Sequence, residues 1–123
     1  MKEIIAVIRP KKVSATKDAL VKLGYPSLTA IPVLGRGKQK GLENEINIEF
    51  RPGTLDLNRH VAMKYIPKRY LSIVIPDDEV EAVIQAIIKT NQTDQIGDGK
   101  IFVCPVEEAL RIRTEEQGNS AIN

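Results

Sequence analysis

Two short segments combine glycine with lysine in a way that is typical of phosphate binding. One runs from Gly35 to Gly41 (Gly-Arg-Gly-Lys-Gln-Lys-Gly), and the other runs from Ile96 to Lys100 (Ile-Gly-Asp-Gly-Lys). Glycines leave backbone N–H groups accessible to an anion, and the lysines add positive charge. The first segment lacks the spacing of a dinucleotide-binding fingerprint and the Lys-Ser/Thr ending of a P-loop. A solvated turn remains the alternative for both segments.

Arg111 and Arg113 form a third basic feature. They alternate in a short stretch that is predicted to be extended, so both side chains would point to the same side. Two neighbouring guanidinium groups suit phosphate oxygens, although arginines on a strand edge also protect that edge from aggregation. Together, the three features would bring cations and backbone donors to the ends of several strands. A single sequence does not establish that they meet.

No set of residues predicts a catalytic centre. The single His60 has no Cys or carboxylate at metal-ligand spacing, and the single Cys104 lies in a predicted strand, where a small buried side chain is expected. The acidic residues between positions 77 and 81 are expected to cap and solvate a helix. Because no nucleophile, base and orienting group occur together, we expect a protein that is not an enzyme.

Composition excludes several other classes of protein. The 123 residues fit one domain, and 18 Lys+Arg against 16 Asp+Glu give a net charge of +2, too balanced for a duplex-binding or polybasic membrane-binding protein. Apolar runs reach about five residues, against the ~18 of a membrane span. No signal peptide is visible. We therefore expect a cytoplasmic protein that binds neither nucleic acid nor membrane.

Hydrophobic periodicity predicts one α+β domain over residues 1–123. The clearest pattern is a helical stripe from Val80 to Ile88, with Asp77 or Asp78 as the expected N-cap. Pro32 favours an edge position for the second strand. The predicted elements are a strand at 2–9, a helix at 12–23, strands at 27–34 and 70–75, a helix after Pro76, a strand at 100–104 and a short fifth strand at 110–113. This βαββαβ order is that of the ferredoxin-like fold.

The predicted connection between the second and third strands is unusually long. Residues 36–66 are polar and contain no convincing element, whereas a hairpin loop usually takes about 2–5 residues. Alternation at Ile46, Ile48 and Phe50 leaves a strand possible, but we favour a long functional loop. Without this loop and the polar tail (about 114–123), about 80 residues remain for a core, and domains of that size often oligomerise.

Taken in order along the chain, the motifs resemble the PII (GlnB-like) signal-transduction proteins of nitrogen metabolism. The resemblance covers nearly all of the chain outside the long loop. It rests on Lys2–Pro10, Thr29, Gly35–Gly41, Pro67-Lys68, Val74–Asp78, Thr90–Thr93, Ile96–Val103 and Arg111–Thr114.

The resemblance implies a homotrimer of ferredoxin-like subunits, or a mixed assembly with a PII paralogue. ATP or ADP would bind in clefts between neighbouring subunits. The long loop would be the T-loop, which contacts a target protein. The second effector, 2-oxoglutarate, would bind with Mg-ATP near the base of this loop.

Residue roles follow from the same resemblance, position by position. Thr29 would contact adenine, Gln39 would bind Mg, and Lys68 would pair with the distal carboxylate of 2-oxoglutarate. The implied nucleotide-binding residues are Thr29, Gly37, Lys38, Gln39, Val74, Gly97, Asp98, Gly99, Lys100, Arg111 and Arg113. The implied 2-oxoglutarate-binding residues are Gln39, Lys40, Gly41 and Lys68.

The sequence also departs from the common PII pattern. The loop is longer, and it lacks the tyrosine motif that is uridylylated, for which Tyr65 is a poor substitute. Arg36 stands where an aromatic residue is usual, Ser72 where an acidic residue is frequent, and Glu115 where glycine is usual. The extended loop is similar to that of the nitrogenase-associated PII proteins of methanogens and anaerobes, which implies inhibition of nitrogenase in response to ammonium.

Two alternatives belong to other classes. One is a small enzyme with a nucleotide substrate, which the absence of a catalytic set disfavours. The other is a nucleic-acid-binding protein. A ferredoxin-like nucleic-acid-binding module could use the basic segment 36–40. Such a module needs exposed aromatic residues on the sheet, and Tyr70 is the only plausible one.

Overall fold

The computed structural model describes residues 1–37, 48–50 and 63–122. All strand pairs are antiparallel, in the order β2-β4-β1-β5, with β3 paired to the first residues of β4. The strands are β1 (Lys2–Ile8), β2 (Thr29–Gly35), β3 (Ile48–Phe50), β4 (Met63–Ile75) and β5 (Lys100–Pro105), and the helices are α1 (Val13–Lys22) and α2 (Val80–Asn91). The predicted ferredoxin-like fold is confirmed. Neither helix has the length and hydropathy needed to span a membrane.

The core lies between one face of the sheet and the two helices. Along β1, Ile4, Ala6 and Ile8 are buried, while Ile5 and Val7 point to the other face and are half-buried. This alternation follows from the two-residue period of a strand. Each fully buried Ile or Leu contributes about 1.5–3 kcal/mol. The other buried apolar side chains of this core are Leu20, Leu71, Ile73, Ile75, Val83 and Ile87.

Side-chain hydrogen bonds join the helices to each other. Asn91 Nδ2 donates to Thr16 Oγ1 at 2.9 Å and to the carbonyl oxygen of Ile87 at 2.9 Å, and both polar side chains are buried. Pairing these buried groups avoids the cost of an unsatisfied donor. Helix α1 is followed by a glycine stop: Gly24 has a φ of +95°, which an L side chain rarely adopts.

The expected N-cap of α2 is wrong. A 3-10 turn, Asp77–Glu79, precedes the helix, and no side chain caps it. Asp77 instead accepts a hydrogen bond from Lys2 Nζ at 2.9 Å and lies 3.0 Å from the amino group of Met1. These two cations lower the pKa of Asp77. Asp77 therefore binds the start of β1 rather than capping the helix.

Two predictions for the stretch 36–66 need correction. The strand predicted at 70–75 is β4, and it begins at Met63 rather than at position 70. It is longer because β2 pairs with it as far as Gly35, which lies opposite Ile66. A three-residue strand, Ile48–Phe50, pairs with Met63–Tyr65, so part of the alternation was a real strand signal. Within the described sheet, β2 pairs with β4 on one side only, which agrees with the edge position expected from Pro32.

The predicted fifth strand at 110–113 is wrong. The chain turns at 112–114, and only Leu110 forms a bridge, with Gln117. The N–H of Glu115 donates to the Arg111 carbonyl oxygen at 2.7 Å, and the N–H of Arg111 donates to that of Glu116 at 2.9 Å. The turn needs a φ of +61° at Glu115, the position where the PII pattern has glycine.

The loop between α2 and β5 is fixed to the end of β1 by an ion pair. Asp98 Oδ1 lies 2.5 Å from Arg9 Nη1, and Arg9 Nη2 donates to the carbonyl oxygen of Ile96 at 3.1 Å. Asp98 Oδ2 accepts the backbone N–H groups of Thr93 and Asp94 at 2.7 and 3.0 Å. Burial raises the pKa of Asp98, but the Thr93 hydrogen bonds and the Arg9 charge outweigh burial and hold this pKa well below its usual range.

Gly99 brings the same loop against the backbone of β1. A Cβ atom at this position would overlap the carbonyl oxygen of Val7 and lie 3.1 Å from the Val7 carbonyl carbon, and φ is +116°. Only glycine fits such a close approach in this backbone conformation.

We predict that Gly99→Ala destabilises the fold by at least about 2 kcal/mol, since strain in φ is added to a clash with backbone atoms. Urea unfolding at fixed protein concentration measures the loss. Gly24→Ala is the matched control, because its φ is also positive but nothing lies within 4 Å of the added methyl group. That control should lose only about 1 kcal/mol. An equal loss in both variants would contradict the close contact with Val7.

We also predict that Asp98→Asn costs about 2–4 kcal/mol at neutral pH, because it removes the Asp98 carboxylate from the buried Arg9 charge. The folded pKa of Asp98 is depressed, so its stabilisation is complete above the unfolded pKa of about 4 and is lost as pH falls. The difference from wild type should therefore shrink below about pH 4 in unfolding measured at stepped pH. Asp94→Asn, in the same loop, should show neither effect.

Candidate functional site

A cavity of about 580 Å³ extends across one end of the sheet, from the end of β2 over β4 and β1 to the start of β5. We call it the cationic cavity, because Arg36, Lys68 and Lys100 line it and no Asp or Glu does so among the described residues. Neither Arg36 nor Lys100 forms an ion pair with another residue in the described ranges. Three cations without a lining carboxylate favour an anionic ligand. The remaining lining residues are Val7, Gly35, Gly37, Ile66, Ile96, Gly97, Gly99 and Phe102.

Lys68 is the most rigidly held of the three cations. Its Nζ donates to the carbonyl oxygen of Gly97 at 2.6 Å, and the residue is only 8% exposed. Gly35 faces the stem of Lys68, where an added Cβ would lie 3.4 Å from Lys68 Cγ. The loop that Asp98 and Gly99 fix to β1 therefore also holds Lys68 at the cavity wall.

A second cavity, of about 540 Å³, lies at the other end of β2. We call it the Thr29 cavity. Its walls are the segment from Gly24 to Thr29, the β4 residues from Ser72 to Val74, and Ile122 near the C-terminus. Ser72 Oγ donates to Glu3 Oε2 at 2.6 Å, so a carboxylate of β1 lies beside one wall. Burial, together with a hydrogen bond to Glu79, raises the pKa of Tyr25 to about 12.

The C-terminal hairpin, in which Leu110 bridges to Gln117, lies beside the Thr29 cavity. Arg111 Nη2 donates to the carbonyl oxygen of Ser120 at 3.0 Å, two residues before Ile122 in the cavity wall. Arg113 is exposed in the turn of the hairpin. The two arginines therefore belong to one turn, not to one face of a strand as predicted.

The predicted site residues thus divide between the two cavities rather than meeting in one. Asp98 lines neither cavity, because its carboxylate is engaged by Arg9 and the loop. The Thr29 cavity contains Thr29 and Val74, and the cationic cavity contains Gly37, Lys68, Gly97, Gly99 and Lys100. The remaining predictions, Lys38, Gln39, Lys40 and Gly41, lie outside the described residues.

Arg36 is the candidate ligand-binding residue that sequence reasoning did not include. It was noted as a departure from the PII pattern and as part of the basic segment 36–40, but it was not included among the implied ligand-binding residues. The available signal was its positive charge within a glycine-rich segment that directly follows a predicted strand.

No cluster of three or more His, Cys, Asp or Glu side chains in the described ranges could hold a metal ion. The expected Mg ligand, Gln39, lies outside these ranges, so its role stays a prediction.

Comparison with known proteins agrees with this architecture. Residues 1–116 match the family model described as nitrogen regulatory protein P-II. Over 122 residues, the chain is 57% identical to the nitrogen fixation nifHD1 region GlnB-like protein 2 of Methanosarcina barkeri. Over the same length, it is 50% identical to the nitrogen fixation nifHD region GlnB-like protein 2 of Methanobacterium ivanovii. Both matches cover 99% of each chain. The crystal structure of Arabidopsis thaliana PII bound to citrate aligns with a TM-score of 0.73 and 31% identity, covering 98% of this chain and 88% of that one. The chain therefore belongs to the nitrogen regulatory protein P-II family, and it is similar over nearly its full length to nifHD-region GlnB-like proteins.

Proposed function

We propose that this protein is a non-enzymatic nitrogen sensor that binds ATP or ADP and 2-oxoglutarate and controls nitrogenase through the loop between β2 and β4. It acts in the cytoplasm as a homotrimer or as a mixed assembly with a PII paralogue. The nucleotide occupies a cleft that two neighbouring subunits form together.

The division of the candidate residues between two cavities is the observation that supports this proposal best. Thr29 and Gly35 lie at opposite ends of β2, a separation of roughly 20 Å at ~3.3 Å per residue. A nucleotide that uses both groups of residues binds best where the Thr29 cavity of one copy meets the cationic cavity of the next.

The sheet face opposite the helices supports assembly of several copies. Ile31 and Phe102 are 46% and 50% exposed on the two edge strands, and Ile5, Val7 and Tyr70 lie between them, half-buried. A broad apolar face on a small domain favours burial against other copies. Phe102 joins Tyr70 on this face, so the prediction that Tyr70 is the only plausible aromatic residue there is wrong.

The chemistry of the cationic cavity suits the proposed ligands. Backbone N–H groups beside Gly37, Gly97 and Gly99, with Lys100, would bind phosphate oxygens. Lys68 would pair with a carboxylate of 2-oxoglutarate, and Mg held by Gln39 and the phosphates would complete the site. The citrate named for the Arabidopsis thaliana PII structure shows that a relative binds a small carboxylate ligand.

The choice of nitrogenase as the target rests on the relatives. The matched relatives from two methanogen genera are named for the nifHD nitrogen-fixation region. Residues 36–66 would contact the target, and most of them lie outside the described residues.

We predict that two binding-defective variants complement each other when they assemble together. Arg111→Ala with Arg113→Ala removes cations from the Thr29 side, and Lys100→Ala removes one from the cationic side. Each homotrimer should lose most ATP affinity, because a charge-assisted contact to phosphate is worth about 1.5–3 kcal/mol. A mixed trimer contains one cleft in which both halves are intact.

Co-expression with two different tags isolates mixed trimers, and calorimetric titration counts their ATP sites. One site of near wild-type affinity per mixed trimer is the expected result. No binding by mixed trimers, with both variants folded, would mean that the two groups do not share a nucleotide. Failure of the wild-type protein to bind any adenine nucleotide would refute the proposed function itself.

We predict that the protein inhibits acetylene reduction by nitrogenase from a methanogen such as Methanosarcina barkeri, and that 2-oxoglutarate with Mg-ATP relieves the inhibition. Lys68→Met should raise the 2-oxoglutarate concentration needed for relief by roughly 10-fold, because a charged partner is lost. Deleting residues 44–62 should abolish inhibition but keep ATP affinity within a few-fold. Lys11→Met, an exposed lysine outside both cavities, is the control for Lys68→Met. Inhibition by the deletion variant would show that this loop does not contact the target.

A further inference from the structure

The guanidinium group of Arg111 is bound by the chain's own C-terminal segment. Nη1 donates to Glu116 Oε1 at 2.7 Å, and Nη2 donates to the carbonyl oxygen of Ser120 at 3.0 Å. The two side chains of the ion pair are 27% and 43% exposed. The pair is therefore accessible to a ligand from solvent.

The backbone fixes this arrangement without the help of the Glu116 side chain. The N–H of Arg111 donates to the Glu116 carbonyl oxygen, and the N–H of Gly118 donates both to the Ala109 carbonyl oxygen at 2.9 Å and to Glu108 Oε1 at 3.0 Å. Changing the Glu116 side chain should therefore leave the hairpin in place.

The chemistry of the pair is that of a ligand contact. A carboxylate and a phosphate present similar oxygen atoms to a guanidinium group, and arginine binds both. Glu116 thus satisfies Arg111 in the same way that a bound anion would. Ser120, in contrast, is a neutral partner that can hold the side chain while another group binds.

We propose that Glu116 sets the nucleotide affinity by occupying Arg111 in place of the ligand phosphate. This inference rests on the proposed function, in which Arg111 contacts phosphate. A ligand phosphate must either displace the Glu116 carboxylate or bind beside its negative charge. Each of these lowers the affinity for the nucleotide. Glu116 is a positioning residue in this scheme, because it acts only through Arg111.

Glu116→Gln tests the proposal in the full-length protein. ATP affinity, measured by calorimetry, should rise roughly 5-fold, the upper range for a partly exposed ion pair. The affinity for adenosine, which has no phosphate, should not change. In an Arg111→Gln background, the same substitution should have no effect on ATP affinity.

Glu115→Gln is the matched control. It removes the same charge from the adjacent position, and none of the described contacts involves the Glu115 side chain. Glu116→Asp retains the charge on a shorter side chain and should give an intermediate ATP affinity.

Three results would overturn the proposal: weaker ATP binding by Glu116→Gln, an equal gain in Glu115→Gln, or a gain that persists without Arg111. The first would mean that Glu116 orders Arg111 for the ligand instead of competing with it. Wild-type protein that binds no adenine nucleotide would instead refute the proposed function, which the same titrations distinguish.

Discussion

The contact between the loop at 93–99 and the backbone of β1 determines the shape of the cationic cavity. Gly99 lies against Val7 at a distance that no side chain permits, and Asp98 binds the buried Arg9 on the same strand. The carbonyl oxygen of Gly97 then holds the Lys68 ammonium group. A glycine, an ion pair and a lysine thus place backbone donors and cations around one space. The Asp98 carboxylate is engaged within the protein, which leaves backbone groups of the loop for a ligand.

Much of the fold can be predicted from local sequence patterns. The predictions are wrong where pairing between strands that are distant in sequence decides the structure. The apolar stripe of α2 and the alternation of β1 indicated their elements correctly, because each signal lies within one element. The first half of β4 was missed because it is stabilised by β2 and β3, which are distant in sequence. The pattern of Leu110–Arg113 predicts a strand, but backbone hydrogen bonds of Arg111 with Glu115 and Glu116 turn the chain back there. A short stretch cannot show which partner its backbone will find.

The candidate site shows a similar limit. Glycine and lysine spacing identified Gly97, Gly99 and Lys100, and these residues do lie together in one cavity. The sequence could not show that Thr29 and Val74 lie in another cavity, because this depends on how β2 and β4 pair with each other and with the distant strands β1 and β5. Arg36 was not predicted as a ligand-binding residue, because the segment was interpreted from its glycines and lysines rather than from the charge of Arg36.

A site divided between subunits has a consequence for how such a protein would sense its ligands. On the proposed function, a nucleotide binds only the assembled form, so binding and assembly stabilise each other by the same free energy. The cationic cavity also lies at the end of β2, where the chain enters the loop that would contact the target. A ligand at this point can change the loop only through its different affinity for the loop conformations. Arg36 and Gly37 stand at that boundary, in the wall of the cavity and at the start of the loop. On the proposed function, ligand charge in the cavity would therefore act directly on the first residues of the loop.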